Sequence, residues 1–177
     1  EATLRKALAV GADDAIRIDT TANDAFYVAA QLAEVAKDYD LILAGIEASD
    51  YNGNAVGGML AEMLDFNSVS AVSGIELEES NFKITREVDG GSQVISIGGP
   101  LVAIVQKGIA KEPRIPAMRG IMMARKKPLS TKEPVEGVNK TQMISFELPP
   151  PKTACKLIDE ENANEVITLL HEEAKVL

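Results

Sequence analysis

The sequence predicts an α/β domain: a mainly parallel sheet with helices on both faces, then a β-hairpin, then an extended C-terminal arm ending in a helix. Three observations predict it. Helix-period segments alternate with short, fully apolar runs over residues 1–64. Two strand-like runs then flank the Asp-Gly-Gly turn Asp89–Gly91. Of the 8 prolines, all but Pro100 fall between Lys107 and Pro151, where periodicity is lost.

Each element has its own signal. Leu4, Ala7 and Leu8 share one face of a first helix, and Gly11 stands where a helix C-cap belongs. Glu1 is no initiator and this helix reads as already under way, so residues upstream of it are expected to be missing. Ala15–Asp19 reads as a short strand. Thr21 and Asp24 offer a capping pair for a helix from about Asn23 to Lys37, along which Phe26, Ala29, Ala33 and Ala36 keep helical spacing. Leu41–Ala44 is wholly apolar between Asp40 and Gly45, as suits a parallel strand covered on both faces. Beyond a loop, Val56, Met59, Leu60, Met63 and Leu64 recur along one helical face.

The pattern then turns to strands. Ser68–Leu77 is one. Phe82–Val88 and Gln93–Ile97 are the arms of a hairpin whose glycines supply the positive φ its turn requires. Pro100–Gln106 is a further buried strand. Residues 107–151 read as an extended arm. Asp159 caps a last helix with an apolar stripe at Ala163, Val166, Ile167, Leu170, Ala174 and Leu177. That stripe is to be buried on its own domain or on another chain, and the sequence leaves both open. The expected division is residues 1–106 for the α/β domain, its beginning missing, and 107–177 for the arm and terminal helix.

Composition narrows the function. The chain of 177 residues is 46% apolar and 25% charged, ordinary for a globular domain. No stretch approaches the roughly 20 apolar residues that span a bilayer, so membrane insertion is not expected. No charged-then-apolar leader argues for secretion, and the single cysteine, Cys155, suits a reducing compartment. A net charge of −9 argues against nucleic acid as a partner. Against that acidic body stands a basic strip: Lys107, Lys111, Arg114, Arg119, Arg125, Lys126 and Lys127, with Glu112 its one acid. It suits either a particular anionic surface or plain solvent.

Little in the chain looks catalytic. His171 has no second His or Cys nearby, so no metal site is expected. Cys155 lies among Lys152, Thr153 and Lys156 without a base, and is read as inert. Ser49 and Asp50 are not in a nucleophile elbow. The sequence therefore predicts no catalytic residue and no enzyme. Its one candidate site is the loop "DYNGNAVGGML" (Asp50–Leu60). In open parallel sheets ligands sit at the carboxyl ends of strands, and a helix N-terminus favours phosphate. The strand Leu41–Ala44, the loop Gly45–Asn54 and the helix Ala55–Leu64 make such a cradle. There is no Walker lysine-serine pair and no Gly-x-Gly-x-x-Gly, and a plain connection capped by Asn54 reads equally well.

Three segments carry a resemblance. "REVDGGSQVISIGGP" (Arg86–Pro100) resembles the signature of the electron transfer flavoprotein β subunit: an arginine, two residues and an acid-Gly-Gly turn before a strand and a proline. "EPRIPAMRGIMMARKKPL" (Glu112–Leu129) is similar to that family's partner-recognition segment. "LRKALAVGADDAIRI" (Leu4–Ile18) is similar to its helix–strand unit. The three lie in the family's order and span nearly the whole chain.

The resemblance implies an adenine-nucleotide-binding three-layer fold for residues 1–106, with about one more βαβ unit before Glu1. It implies that AMP, or a second FAD as in bifurcating members, is held by Gly45, Ile46, Glu47, Ala48, Ser49, Asp50, Tyr51, Asn52, Gly53, Asn54, Ala55 and Val56. The AMP is structural. Here the family's Thr-Gly-Gln or Gln-Val-Gly is replaced by Ala55–Gly58, and a common glutamine by Glu47, so backbone N–H groups carry more of the phosphate.

The resemblance further implies a non-catalytic subunit paired with an α subunit. FAD held mainly by α carries electrons from acyl-CoA or other flavin dehydrogenases to a membrane-bound quinone oxidoreductase, as in fatty acid oxidation. The implied compartment is a bacterial cytoplasm. Docking falls to Glu112, Pro113, Arg114, Ile115, Pro116, Ala117, Met118, Arg119, Gly120, Ile121 and Met122, with Met118 as the apolar anchor. Two other readings stay open on the residues alone. One is a stand-alone, universal-stress-like nucleotide-binding module. The other is an ATP-using enzyme on the same scaffold, which needs a catalytic lysine, serine or metal cluster at the loop; none is visible.

Overall fold

The computed structural model describes residues 1–22, 24–48, 52–137, 139–152 and 154–176. It divides into two units, Glu1–Met143 and Ile144–Leu177.

In the first unit the elements follow the sequence pattern closely. Helix α1 (Ala2–Val10) ends at Gly11, whose φ of 131° suits glycine. Strand β1 (Ala15–Ile18) leads to helix α2 (Ala25–Ala36). Asp24 caps α2, its carboxylate accepting the Tyr27 N–H at 2.7 Å; Asn23, expected to start this helix, lies outside the described residues. Strand β2 (Leu41–Gly45) and helix α3 (Val56–Leu64) follow. Strands β3 (Asn67–Glu78), β4 (Asn81–Val88) and β5 (Gly91–Gly98) form a meander, and β6 (Leu101–Val105) returns beside β2. The turn between β4 and β5 places Gly90 at φ 83°.

The main sheet has the order β2-β6-β3-β4-β5. β2, β6 and β3 are parallel; β3, β4 and β5 are antiparallel. β6 is an interior strand, between β2 and β3, and is buried on both sides, as its unbroken apolar run requires. Leu101 and Ala103 pack on one face with Val69, Val72 and Ile84. Val102 and Ile104 pack on the other with Ala61 of α3. Helix α2 lies against α3. The chain is thus α/β with an open mixed sheet, the class its alternating segments predict.

The basic stretch holds more structure than an extended arm. Helix α4 (Met118–Ala124) packs on α1, and strand β7 (Leu129–Lys132) pairs in parallel with β1. A helix of 7 residues and a strand of 4 are too short to show a period. Further along, Gln31 of α2 is buried and bonds Val135 twice, donating to its carbonyl at 2.9 Å and accepting its N–H at 2.8 Å.

In the second unit, Asp159 caps a short 3-10 turn (Glu160–Asn162) that leads into helix α5 (Ala163–Glu172). Leu177, the last residue of the expected stripe, lies outside the described residues. Ile144, Phe146, Leu148 and Leu157 are exposed. Among the described residues no helix is long and apolar enough to cross a membrane.

Candidate functional site

The loop leaves the sheet at Gly45, which pairs with Val105, so it starts at the carboxyl ends of β2 and β6. Ile46 extends the ladder by donating to the Val105 carbonyl at 3.0 Å, and its side chain packs on the Val102–Ile104 core. Glu47 and Ala48 are exposed. Ser49, Asp50 and Tyr51 lie outside the described residues. The Asn52 N–H closes back on the Ala48 carbonyl at 2.8 Å. Asn52 and Asn54 take φ values of 53° and 42°, a region asparagine tolerates better than most residues.

Helix α3 starts one residue later than the sequence suggests. Ala55, not Asn54, is its N-cap, and no side-chain cap is present among the described residues. The first-turn N–H groups are therefore left to whatever faces them. Gly57 sets how near that turn comes to the sheet. A Cβ there would lie 2.8 Å from Ile104 Cγ1, so glycine is what lets the helix start sit against β6. Beside this turn is a cavity of about 310 Å³ between α2, β2 and α3, with Leu32, Val35, Ile42, Val56 and Leu60 in its wall. Among the described residues that wall has no charged group.

The second predicted segment sits on different elements. Residues 113–117 lead into α4 without regular secondary structure, and Ala117, with extended backbone, is its N-cap. Ile115, Met118 and Met122 are 87%, 74% and 64% exposed, and Ile121 and Met123 are exposed too. Beneath them α4 is clamped to α1. A Cβ on Gly120 would lie 2.5 Å from the Ala9 carbonyl oxygen, and Ala124 is buried. Arg5 donates to the carbonyls of Ala124 and Lys127 at 2.9 and 3.1 Å, satisfying the end of α4.

The basic strip proves to be divided in purpose. Lys127 Nζ donates to the carbonyls of Leu8 and Ala12, and Arg114 to that of Val10. Both cations thus serve the C-terminus of α1, where positive charge is favoured. Sequence reading missed this, since nothing in the strip marks which cations turn inward.

Residues 1–136 match the family model described as the electron transfer flavoprotein domain. The chain belongs to the electron transfer flavoprotein family. It is 38% identical over 162 residues to the electron transfer flavoprotein subunit beta of Syntrophomonas wolfei, covering 89% of this chain and 64% of that one. Against the same subunit of Bacillus subtilis it is 35% identical over 193 residues, covering 100% and 75%. Against the human subunit it is 34% identical over 163 residues, covering 86% and 64%. The chain therefore spans 64 to 75% of the length of these electron transfer flavoprotein subunits. The loop, the hairpin and residues 112–122 all fall inside the matched region.

Proposed function

We propose that this chain is the nucleotide-holding and docking part of an electron transfer flavoprotein β-type subunit. AMP lies at Gly45–Val56 with its phosphate against the first turn of α3, and is held for structure, not consumed. FAD is held mainly by an α-type partner. Acyl-CoA or other flavin dehydrogenases supply electrons, a quinone oxidoreductase receives them, and no residue of this chain does chemistry.

The observation that carries this reading is the family match, which spans both the loop and residues 112–122. Physical features support it. The uncapped start of α3 provides the N–H groups and positive dipole end that phosphate seeks. Gly57 removes a side chain that would collide with Ile104 and push the helix start away from the sheet. Met118 stands out from a helix clamped to α1, and methionine adapts to pockets of varied shape. An exposed apolar anchor on a rigid support suits transient docking.

Met118→Asp tests the docking role. Electron transfer from the donor dehydrogenase falls roughly tenfold or more, while flavin content stays unchanged. A rate equal to that of the parent protein removes Met118 from the interface.

A further inference from the structure

Arg86 opens the Asp-Gly-Gly motif and is left without a role by docking and by the loop. It stands on β4 between Val72 of β3 and Gln93 of β5. Phe82 and Ile84 precede it at two-residue spacing and pack in the core, so the Arg86 side chain leaves the sheet on that same face. Its Nε is buried and has no hydrogen-bond partner among the described residues. The residue as a whole is only partly buried, yet an N–H donor buried without an acceptor is a costly arrangement. An acceptor that arrives with a ligand accounts for its persistence.

Its position points to the kind of acceptor. Val72, beside Arg86, also pairs with Val105 at the end of β6, and Val105 pairs with Gly45 at the end of β2. Gly45, Val105, Val72 and Arg86 thus form one row level with the carboxyl ends of β2 and β6, past which β3 runs on to Glu78; the carboxyl ends of parallel strands are where such sheets bind ligands. Three strand spacings put Arg86 about 14 Å from Gly45, well away from the start of α3.

Strand β3 is irregular beside this row. Its register shifts between Val69 and Val72 against β6 and between Val72 and Gly74 against β4, and Ala71 takes a φ of 56°. Bulges of this kind re-aim side chains next to sites. A second cation is close in the chain path. The Gln106 N–H donates to the Val72 carbonyl at 3.1 Å, so the exposed Lys107 lies two residues beyond Val105 of the row.

We propose that Arg86 is a phosphate-binding residue. Its Nε–H takes an oxygen of a phosphate or pyrophosphate group at this edge, with Lys107 adding charge. Two cations suit a multiply charged phosphate better than a lone carboxylate. The source is either the phosphate end of a mononucleotide or the pyrophosphate of a dinucleotide brought by a partner subunit. The proposal is independent of the loop reading.

Sodium pyrophosphate is titrated into the nucleotide-free 177-residue chain while the Arg86 Nε–H resonance is followed by NMR, with sodium chloride and sodium acetate as controls. A saturable shift with pyrophosphate alone is expected. Arg86→Lys, which keeps the charge and lacks this N–H, is expected to bind about tenfold more weakly or worse. If the variant does not fold, the titration of the parent chain still decides. A shift with AMP identifies a mononucleotide as the source, and a shift with FAD but not AMP identifies a dinucleotide. No shift with pyrophosphate, or an equal shift with acetate, overturns the proposal. Loss of AMP binding at the loop with the pyrophosphate shift intact removes the loop reading and leaves this one standing.

Discussion

Glycine at 57 and 120 is needed because of what lies opposite, and glycine at 58 is not. A Cβ at 120 would meet the Ala9 carbonyl oxygen at 2.5 Å, and backbone cannot rotate away as a side-chain tip can. Gly58, within the same helix as Gly57, faces open space. Gly120→Ala is therefore expected to cost about 1–3 kcal/mol through separation of α1 from α4, despite alanine's better helix propensity. Gly58→Ala is the control and is expected to stabilise α3 by up to about 1 kcal/mol. Denaturant unfolding of both variants checks the pair. Equal midpoints would mean that the α1–α4 contact is not the constraint described.

At the scale of elements, Asp24 joins two distant segments. One carboxylate oxygen caps α2 at Tyr27; the other accepts the N–H groups of Lys140 and Thr141 at 2.5 and 2.8 Å. The Tyr27 bond chiefly, with the Thr141 and Lys140 bonds and against partial desolvation, holds its pKa below the ordinary aspartate value. A depressed carboxylate stabilises the fold above its unfolded pKa, and that contribution is lost as pH falls through the folded value. Hydrogen-exchange protection at Lys140 and Thr141, relative to β6 amides, should therefore fall below roughly pH 4. Protection unchanged down to pH 2 would remove this tie.

The same elements show how far the sequence is legible. β2 and β6 are plain in it because an unbroken apolar run has few other uses. The hairpin is plain because its turn needs glycine. β7 is hidden, since Leu129–Lys132 has no apolar alternation and becomes a strand by pairing with β1. Nothing in the sequence marks Gln31 as buried; it is buried, with Val135 supplying both its partners. At the loop, sequence shows the glycines but not that Gly57 alone of the α3 pair touches Ile104. At Arg86 it shows the motif but not the buried Nε.

For the molecule as a whole, two proposed surfaces lie on the first unit and the second unit carries an exposed apolar segment of its own. On the proposed reading the α3 start holds a nucleotide and the exposed methionines of α4 meet a donor. Ile144, Phe146 and Leu148 alternate with Ser145 and Glu147, and all three are at least 87% exposed. A stripe of this kind suits an extended segment laid on another chain. The most direct test is nucleotide content. The β-type chain is purified with its α-type partner and denatured, and the released nucleotides are identified by chromatography with mass detection. The account predicts AMP alongside FAD in equal amounts, and a second FAD in place of AMP would keep the site while changing its occupant. FAD equal to the heterodimer concentration, with no second nucleotide, would contradict it.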